Sequence, residues 1–550
     1  MLNPKTLFSR LALFAVLLCG FLLPALASRA PQHLIFSYMG DPSTTLTANW
    51  QSLLEGTDGN TESLQAGTAV VYYDLESRGG IAGNYAHKVT GEAFQIDGLK
   101  DRFIYRTQLT ELTPNTTYYI AVGNELTGIS SEVMVRTIPQ DDTPIRFVTG
   151  GDMGVSEDMR LLLKNAATHN PRFAVIGGDV AYANGRLKSI KSWDAWLKFY
   201  TDEMVTPHGF SVPMVLAIGN HEVDGGFGRS KKDAPFYFSF FGQDPDLTYF
   251  TRQFGKNFVL FSLDSGHVAT HESQAPWLEQ QLEAYANIKH TAAVYHVPLY
   301  PTHRGFAEQY SEEGRTFWGP LFDKYALDVA FENHDHTFKR THLLKGGAIA
   351  KDGTGTLYLG DGCWGRSARE IDYMKRWYID AIGSIQHFWV VDVNAAEMVY
   401  KAVDIDNQVF DVYPLNKPEA VAAESVFAAK KHGYLLPSNA LQVEGFTDVA
   451  SQWEGGQTTL QVKNPFDFTI TCELRASIPK NSLTVEGLPA KPIVLKAGEE
   501  QSFDITFVPS KGTTVDTKKL KLGIAVKLKF NDVNTSESIE LKKTIPVPLR

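Results

Sequence analysis

The sequence predicts a multidomain protein in which a central α/β layered domain lies between two β-sandwiches. Short runs of alternating apolar and polar residues occupy residues 31–138 and 438–550, and such runs are typical of strands with one buried face. Between them, residues 145–415 alternate apolar runs with helical patterns, which indicates a layered α/β domain with an α-β-β-α arrangement. A chain of 550 residues has room for roughly three to four domains of ordinary size.

The amino terminus differs in character from the rest of the chain. Residues 1–27 combine a positive start at Lys5 and Arg10, an apolar run over 11–23 and the small-residue sequence Ala25-Leu26-Ala27. This combination predicts a secretory signal peptide, because the apolar run is too short for a comfortable membrane span. A retained signal anchor is the alternative. We therefore expect a protein that is secreted, periplasmic or otherwise outside the cytoplasm, with no membrane span after signal cleavage.

The net charge limits the kinds of partner that we expect, and the cysteine content bears on whether a disulfide forms. The formal net charge is −10, and no block of like charges interrupts the chain. This balance does not resemble a nucleic-acid-binding surface and favours a small-molecule substrate with no nucleic-acid partner. Cys363 and Cys472 lie far apart in sequence, and we expect small buried apolar side chains rather than a disulfide. The sequence does not determine the oligomeric state, and a homodimer is one of the states that it allows.

The first sandwich is indicated by strand-like runs over 45–50, 69–73 and 117–122. Seven or so strands within about a hundred residues are typical of a β-sandwich. Trp50 near the end of an early strand, and the segment 112–118 before a late one, resemble the fibronectin type III pattern.

Two connecting regions separate the predicted domains. The sequence Asp141-Asp142-Thr143-Pro144 is interpreted as a linker. Residues 416–437, with a predicted helix over 420–431, form a second linker, and residues 438–550 form the second sandwich, whose role the sequence does not indicate.

In the middle domain, five apolar runs each lead to residues that are able to bind a metal ion. The runs and their candidate ligands are Ile145–Thr149 with Asp152, Phe173–Ile176 with Asp179 and Tyr182, Met214–Ile218 with Asn220, Ala292–Tyr295 with His296, and Asp328–Phe331 with His334 and His336. Ligand crevices of α/β sheets lie at the carboxyl ends of the strands, so these side chains are expected to converge. Glycines before Asp152, Asp179 and Asn220 are expected to let the backbone turn away from each strand.

The donor types suit hard or borderline metals such as iron, manganese and zinc. One carboxylate can bridge two ions about 3.5–4 Å apart, which is the spacing of two-metal hydrolases. Taken singly, an aspartate after a glycine is usually a turn residue and a buried histidine is usually part of the core. The five runs together, in this order, predict a dinuclear metal site.

The motifs resemble those of the purple acid phosphatases, a family of calcineurin-like metallophosphoesterases. Its blocks GDxG, GDxxY, GNH[E/D], VxxH and GHxH correspond to Gly151-Asp152-Met153-Gly154, Gly178-Asp179-Val180-Ala181-Tyr182, Gly219-Asn220-His221-Glu222, Ala293 to His296, and Asn333 to His336. Two blocks depart from the pattern, since Ala293 replaces valine and Asn333 replaces glycine. A glycine at position 333 would allow a positive φ, which asparagine tolerates better than most residues. The resemblance covers roughly residues 31–415 and implies a fibronectin-like domain ahead of the catalytic one.

The resemblance also implies roles for individual residues. Asp152, Tyr182 and His336 would hold a ferric ion, Asp179 would bridge the two metals, and Asn220, His296 and His334 would complete a site for divalent Fe, Zn or Mn. A phenolate bound to Fe(III) would give the purple colour of the family. His221 would contact the phosphoryl group, His303 would face the leaving oxygen as a second catalytic histidine, and Arg304 would contact the phosphate.

The expected function is therefore that of a secreted acid phosphatase that hydrolyses phosphate monoesters by attack of metal-bound hydroxide. A phosphodiesterase or nucleotidase that uses the same site is the alternative among enzymes. A non-catalytic phosphate-binding surface protein, displayed by its two sandwiches, is the alternative from another class. Trp364 is expected to belong to the core rather than to a substrate cleft.

Overall fold

The structure is a computed structural model. It describes residues 30–53, 67–124, 128–369, 371, 376–434, 441–443, 452–453, 455–464, 469–478, 483–510, 515–516, 522–530 and 538–545. The predicted signal peptide over 1–27 lies outside the described residues. Among those residues, no helix is both long and apolar enough to cross a bilayer.

The amino-terminal part is a β-sandwich, as the sequence predicts. Its strands are β1 (Gln32–Ser37), β2 (Leu46–Leu53), β3 (Ala69–Asp74), β4 (His87–Phe94), β5 (Arg102–Leu109), β6 (Thr117–Asn124), β7 (Gly128–Ile129) and β8 (Val133–Arg136). β4 connects the two layers, because its first half pairs with β3 and its last three residues pair with β5. Trp50 on β2 is buried and stacks on Tyr105 of β5 with ring centres 5.4 Å apart.

Two sheets form the centre of the second domain. Its strands are β9 (Ile145–Gly150), β10 (Phe173–Ile176), β11 (Met214–Leu216), β12 (Phe250–Phe254), β13 (Phe258–Ser262), β14 (His290–Val294), β15 (Val329–Phe331), β16 (Phe338–Thr341), β17 (Leu344–Lys345), β18 (Ala348–Ile349), β19 (Leu357–Gly360), β20 (Ile379–Gly383), β21 (His387–Val393), β22 (Met398–Asp404) and β23 (Val409–Tyr413). The first sheet has the order β11-β10-β9-β21-β22-β23, and the second has the order β12-β13-β14-β15-β19-β16-β20.

Helices cover the outer faces of both sheets. They are α1 (Glu157–Thr168), α2 (Ile190–Glu203), α3 (Pro235–Phe241), α4 (His271–Ala284), α5 (Gln309–Phe317) and α6 (Gly319–Tyr325), with 3-10 turns at Leu187–Ser189, Asn220–Glu222 and Lys231–Asp233. The helices predicted over 159–168, 193–203 and 275–286 are confirmed, with starts two to four residues earlier. The amino terminus of α1 is capped by Ser156, whose Oγ accepts a hydrogen bond from the Met159 N–H.

The space between the two sheets is filled by aromatic side chains. Phe147 of β9 stacks on Phe173 of β10 at 5.1 Å and on Phe258 of β13 at 5.2 Å, so that the first sheet packs directly on the second. Each fully buried ring contributes roughly 1.5–3 kcal/mol of hydrophobic stabilisation. On the outer face of the first sheet, α1 and α2 bury Leu162 and Trp193 in one further core. The resulting four layers confirm the predicted α-β-β-α arrangement.

Within each sheet, the strands that precede the candidate ligands run parallel. β9, β10 and β11 are parallel neighbours in the first sheet, as are β13, β14, β15 and β19 in the second. Their carboxyl ends therefore share one edge of the layered core, which is where the candidate metal ligands lie.

The carboxyl-terminal part begins with helix α7 (Pro418–Tyr434), which contains the predicted helix over 420–431. Its strands are β24 (Leu441–Val443), β25 (Gln452–Trp453), β26 (Gly456–Lys463), β27 (Ile470–Ser477), β28 (Leu483–Glu486), β29 (Ile493–Leu495), β30 (Glu500–Pro509), β31 (Val515–Asp516), β32 (Leu522–Phe530) and β33 (Ser538–Ile545). They form two four-stranded antiparallel sheets and a short two-stranded one. Cys363 and Cys472 are both buried and unpaired with each other, as expected.

Candidate metal centre

The candidate ligands lie just beyond the strand ends, and five of the seven adopt a left-handed backbone conformation. Positive φ angles occur at Asp152 (53°), Asp179 (54°), Tyr182 (53°), His334 (76°) and His336 (54°). Such conformations cost about 1–3 kcal/mol each in residues other than glycine and persist only where the surroundings enforce them. Their concentration at these positions indicates a functional site.

The glycines before the ligands act differently from the expectation. Gly178 has a positive φ of 91°, but Gly151 is not among the positive-φ residues and Gly219 has a φ of −119°. At Gly151 and Gly219 the reason for glycine is space. A Cβ atom on Gly219 would lie 2.4 Å from Oδ1 of Asp179, and one on Gly151 would lie 2.5 Å from Oδ1 of Asn333. Asp152 makes the left-handed turn after β9, and Gly178 and Asp179 make the one after β10.

Asp152, Tyr182 and His336 form a first cluster. The Tyr182 hydroxyl lies 3.1 Å from Oδ1 of Asp152 and 3.1 Å from Nε2 of His336. Nε2 of His336 in turn lies 2.9 Å from Oδ1 of Asp152. Burial opposes ionisation of Asp152, but the imidazoles of His336 and His296 outweigh it and lower the pKa of this carboxyl. Burial, together with the Asp152 carboxylate, raises the pKa of Tyr182 far above its usual value.

Asp179, Asn220, His296 and His334 form a second cluster around Nε2 of His296. This nitrogen lies 3.1 Å from Oδ1 of Asn220, 3.2 Å from Oδ2 of Asp179 and 3.0 Å from Nδ1 of His334. Burial favours a neutral His296, but the carboxylates of Asp179 and Asp152 raise its pKa to about 9. Burial holds the pKa of His334 well below its usual value.

The donor atoms of the second cluster fit a metal ion. Nδ1 of His296 lies 2.9 Å from the Gly177 carbonyl oxygen, which can only accept, so Nδ1 carries a proton and Nε2 points its lone pair into the cluster when the ring is neutral. The Asn220 and Asp179 oxygens are acceptors as well. The ligand atoms of Asp179, His296 and His334 lie within 4.8 Å of one another. Several acceptors around one point are an arrangement that a shared cation would stabilise.

The two predicted catalytic histidines lie in different surroundings. His221 is partly exposed, with 31% of its side chain accessible, and its ring packs on Tyr182 at 4.1 Å. Its N–H donates to Oδ1 of Asp179 at 2.7 Å, and its Nδ1 contacts Oδ1 of Asn184. His303 is exposed on the loop after β14, where its backbone N–H donates to Asp335 at 2.8 Å.

Arg304, the predicted phosphate contact, is turned toward the protein. Its Nη1 donates to Oδ1 of Asp335 at 2.7 Å and to the carbonyl oxygen of His334 at 2.8 Å. Arg304 therefore lies beside the second cluster, and one of its guanidinium nitrogens already has protein partners.

Two buried side chains that were assigned no role from the sequence, Asp335 and Glu222, hold the ligand loops in place. Asp335 points away from its flanking histidines and accepts the N–H groups of Thr302 and His303. Glu222 accepts the N–H groups of Asp179, Val180 and Gly219, which ties the second and third ligand loops together. Burial raises the pKa of Glu222 to about 7.

Asn333 has a role other than the expected one. It is not among the residues with positive φ. Its side chain occupies the space over Gly151 and Gly177, and its Nδ2 donates to the Tyr295 carbonyl at 2.9 Å. The asparagine therefore fills a gap between the ligand loops, and the left-handed turn moves to His334.

Two arginines near the first cluster were also not predicted from the sequence. The Arg366 guanidinium carbon lies 4.3 Å from the centre of the Tyr182 ring, and Arg369 donates to the His334 carbonyl at 3.2 Å. Both follow β19, which is parallel to β15. The apolar run Leu357–Leu359 ends at Gly360. Because ligands lie at the carboxyl ends of parallel strands, this run could also have indicated that the residues after it belong to the site.

A four-layered α-β-β-α core with two clusters of metal donors at the carboxyl ends of its parallel strands defines a metallophosphoesterase. A family model described as calcineurin-like phosphoesterase matches residues 146–338, and one described as purple acid phosphatase, N-terminal domain, matches residues 31–137. Together they cover more than half of the chain. The chain belongs to the purple acid phosphatase family.

Individual relatives are distant. An uncharacterised protein of Mycobacterium tuberculosis is 27% identical over 284 residues, which cover 44% of this chain and 51% of that protein. The Fe(3+)-Zn(2+) purple acid phosphatase 12 of Arabidopsis thaliana is 23% identical over 271 residues, which cover 47% and 56% of the two chains. The chain thus spans about half the length of these relatives.

A solved structure shows the same fold. The purple acid phosphatase PPD1 from yellow lupin seeds matches with a TM-score of 0.58 and 19% identity, over 70% of this chain and 74% of that one.

Proposed function

We propose that the protein is a hydrolase of phosphate esters that works with two metal ions. The observation that supports this most directly is the convergence of all seven predicted ligand side chains into two adjoining clusters. Asp152 of the first cluster also accepts the His334 N–H at 2.7 Å, so the two clusters are in direct contact. In this proposal Asp152, Tyr182 and His336 would hold a ferric ion, Asn220, His296 and His334 would hold divalent Fe, Zn or Mn, and Asp179 would serve both.

The metal ions supply charge that neutralises phosphate oxygens and promotes ionisation of water at the site. The residues of the chain then position the ester. His221 is partly exposed beside Asp179 and Tyr182, where it can donate a hydrogen bond to a phosphoryl oxygen. His303 lies at the surface of the adjoining loop, where a protonated imidazole can give its proton to the leaving oxygen.

Metal content and the visible spectrum of the purified protein test the proposed site. We expect close to two metal ions per chain, at least one of them iron, with a broad absorption band that disappears in Tyr182→Phe. The band should disappear because, among the residues that the structure describes, Tyr182 is the tyrosine whose hydroxyl contacts Asp152 and His336. Tyr200→Phe is the matched control, since the Tyr200 hydroxyl is buried and bonded to the Val212 carbonyl away from the clusters.

Two outcomes would change this proposal in different ways. Two bound metals without the band would leave a dinuclear phosphoesterase and remove the tyrosine-bound ferric ion. No tightly bound metal, even after reconstitution, would contradict the hydrolytic function and favour the non-catalytic phosphate-binding protein.

The finer activity that we propose is that of an acid phosphatase acting on monoesters. Rates on nitrophenyl phosphate are expected to exceed those on bis-nitrophenyl phosphate, with an optimum below neutral pH. The sign follows from the leaving-group proton: burial lowers the pKa of His221 below its usual value, so its protonated form is lost as pH rises toward neutral and activity should fall there. A faster reaction with the diester would instead support the phosphodiesterase or nucleotidase, and an alkaline optimum would contradict the role of protonated histidine.

We further propose that the protein is exported. The support is the signal-like composition of residues 1–27.

A further inference from the structure

The loop after β19 lies directly against the candidate ligands. We call residues 361–369 the arginine loop, because they carry Arg366 and Arg369. The Arg366 N–H donates to the Asp152 carbonyl oxygen at 3.0 Å. The Arg369 N–H donates to the His336 carbonyl oxygen at 2.9 Å. The backbone of both arginines is therefore tied to residues of the first cluster.

Close packing also fixes the position of the arginine loop. A Cβ atom on Gly362 would lie 2.0 Å from Oδ2 of Asp152, so the loop approaches this carboxylate as closely as a glycine permits. Trp364 is fully buried, and its N–H donates to the Gly151 carbonyl oxygen at 2.8 Å. The loop thus has one well-defined position beside the first cluster.

The side chains of both arginines contact candidate ligands. The guanidinium carbon of Arg366 lies 4.3 Å from the centre of the Tyr182 ring, in the first cluster. Nη1 of Arg369 donates to the carbonyl oxygen of His334, in the second cluster, at 3.2 Å. Arg366 is exposed and Arg369 is half-buried, so a ligand that enters from solvent can reach both.

Arg304 brings a further positive charge to the same place. Its Nη1 donates to the His334 carbonyl oxygen at 2.8 Å, so two guanidinium groups meet at one oxygen atom. Burial, together with the charge of Arg304, lowers the pKa of Arg369, but a guanidinium group stays protonated near neutral pH. The two like charges repel each other, and an anion bound beside them would relieve this repulsion.

Most hydrogen-bond donors of Arg366 and Arg369 are open. Within the described part of the chain, the Arg366 guanidinium donates no hydrogen bond, and that of Arg369 donates the one to His334. Arg252 is different, because its Nε, Nη1 and Nη2 each donate to a backbone carbonyl oxygen. The planar fork of a guanidinium group suits the oxygens of a phosphate. Open donors are common on surface arginines, but here they lie beside candidate metal ligands.

We propose that Arg366 and Arg369 form a subsite for a second phosphate group of the substrate. In the proposed function the metal ions and His221 bind the phosphate that is hydrolysed, and the two arginines are then available for another anionic group. The inference rests on that function and narrows its substrate class to molecules that carry two phosphate groups.

Calorimetric binding of two unreactive phosphonates to the full-length, metal-loaded protein tests this subsite. Methylenediphosphonate presents two phosphonate groups and methylphosphonate presents one. We expect the wild type to bind the diphosphonate at least about tenfold more tightly, and this ratio to fall to about twofold in Arg366→Gln and in Arg369→Gln. Metal content is measured after each titration, because diphosphonates chelate metal ions.

A diphosphonate with a three-carbon spacer distinguishes two kinds of substrate. Tighter binding of the methylene compound indicates adjoining phosphates, as in an anhydride. Tighter binding of the spaced compound indicates two phosphates carried on separate carbon atoms.

Charge-conserving variants and a surface arginine serve as controls. Arg366→Lys and Arg369→Lys should keep part of the preference for the diphosphonate, because the positive charge remains. Arg160→Gln is the matched control, since Arg160 is an exposed arginine of α1 that pairs with Glu203 of α2 at 2.6 Å. We expect this variant to show the wild-type ratio.

Three results would overturn the subsite. An unchanged ratio in both glutamine variants of the arginine loop, with nitrophenyl phosphate still hydrolysed, would leave the hydrolase standing without it. Equal losses of affinity for the two phosphonates would assign the arginines to the phosphate that is hydrolysed. A wild type that neither binds the phosphonates nor hydrolyses nitrophenyl phosphate would contradict the subsite and the proposed function together.

Discussion

Asp179→Asn is expected to lower kcat on nitrophenyl phosphate by about a thousandfold or more. Asp179 contacts His296 at 3.2 Å through Oδ2 and accepts the backbone N–H of His221 at 2.7 Å through Oδ1, so its carboxylate links the other candidate ligands of the second cluster to the proposed catalytic histidine. The amide keeps the shape but removes the negative charge that holds cations together. Metal ions contribute several kcal/mol of charge stabilisation, and about 4 kcal/mol corresponds to a thousandfold change in rate.

The measurement combines steady-state kinetics with metal content. Asp328→Asn is the matched control, since Asp328 lies half-buried at the opposite, amino end of β15 and accepts the Thr291 N–H at 2.8 Å. This control should retain activity and metal within a few-fold of the wild type. Full activity of Asp179→Asn at unchanged metal content would show that this carboxylate does not bridge the metals.

Lys339→Met is expected to destabilise the central domain by about 3–5 kcal/mol, because it leaves two buried carboxylates without their cation. The Lys339 ammonium is fully buried and contacts Glu332, Oδ1 of Asp361 at 2.5 Å and the Tyr300 carbonyl at 2.7 Å. Burial alone would lower the pKa of Lys339, but Asp361 and Glu332 outweigh it and raise the pKa. Methionine fills nearly the same volume, so the loss is one of charge rather than of packing.

Guanidinium chloride unfolding, followed by tryptophan fluorescence, measures this effect as a shift of the transition midpoint. Lys324→Met is the control, because Lys324 pairs with Glu279 at 2.6 Å on the surface, with more than half of the lysine side chain exposed. Such a pair contributes only about 0–1 kcal/mol. Equal midpoints for the two variants would contradict a stabilising role for the buried ion network.

The location of the candidate metal ligands could be predicted from sequence because it follows from local pattern. Each ligand comes directly after an apolar run, and parallel strands place their carboxyl ends at one edge of a sheet. Arg366, which follows β19 and lies over the Tyr182 ring, obeys the same rule but belongs to no motif with a known ligand spacing.

Other features of the site could not be predicted, because they depend on contacts between residues far apart in the chain. Asp335 and His336 are neighbours in sequence, yet one faces the loop at 302–304 and the other faces Tyr182. Nothing in the order of residues distinguishes their directions. Likewise, Gly151 is required by the side chain of Asn333, which is 182 positions away in the chain and reaches the glycine only when the two sheets pack.

The sequence by itself determined the layered fold, the edge at which the site lies and the chemical types of its donors, because hydrophobic periodicity and strand direction are local properties. The tertiary structure alone decided which donors share a cluster and which buried charges support them. Those relations are set by packing between the two sheets, where burial and the field of distant charges decide the protonation and direction of each side chain.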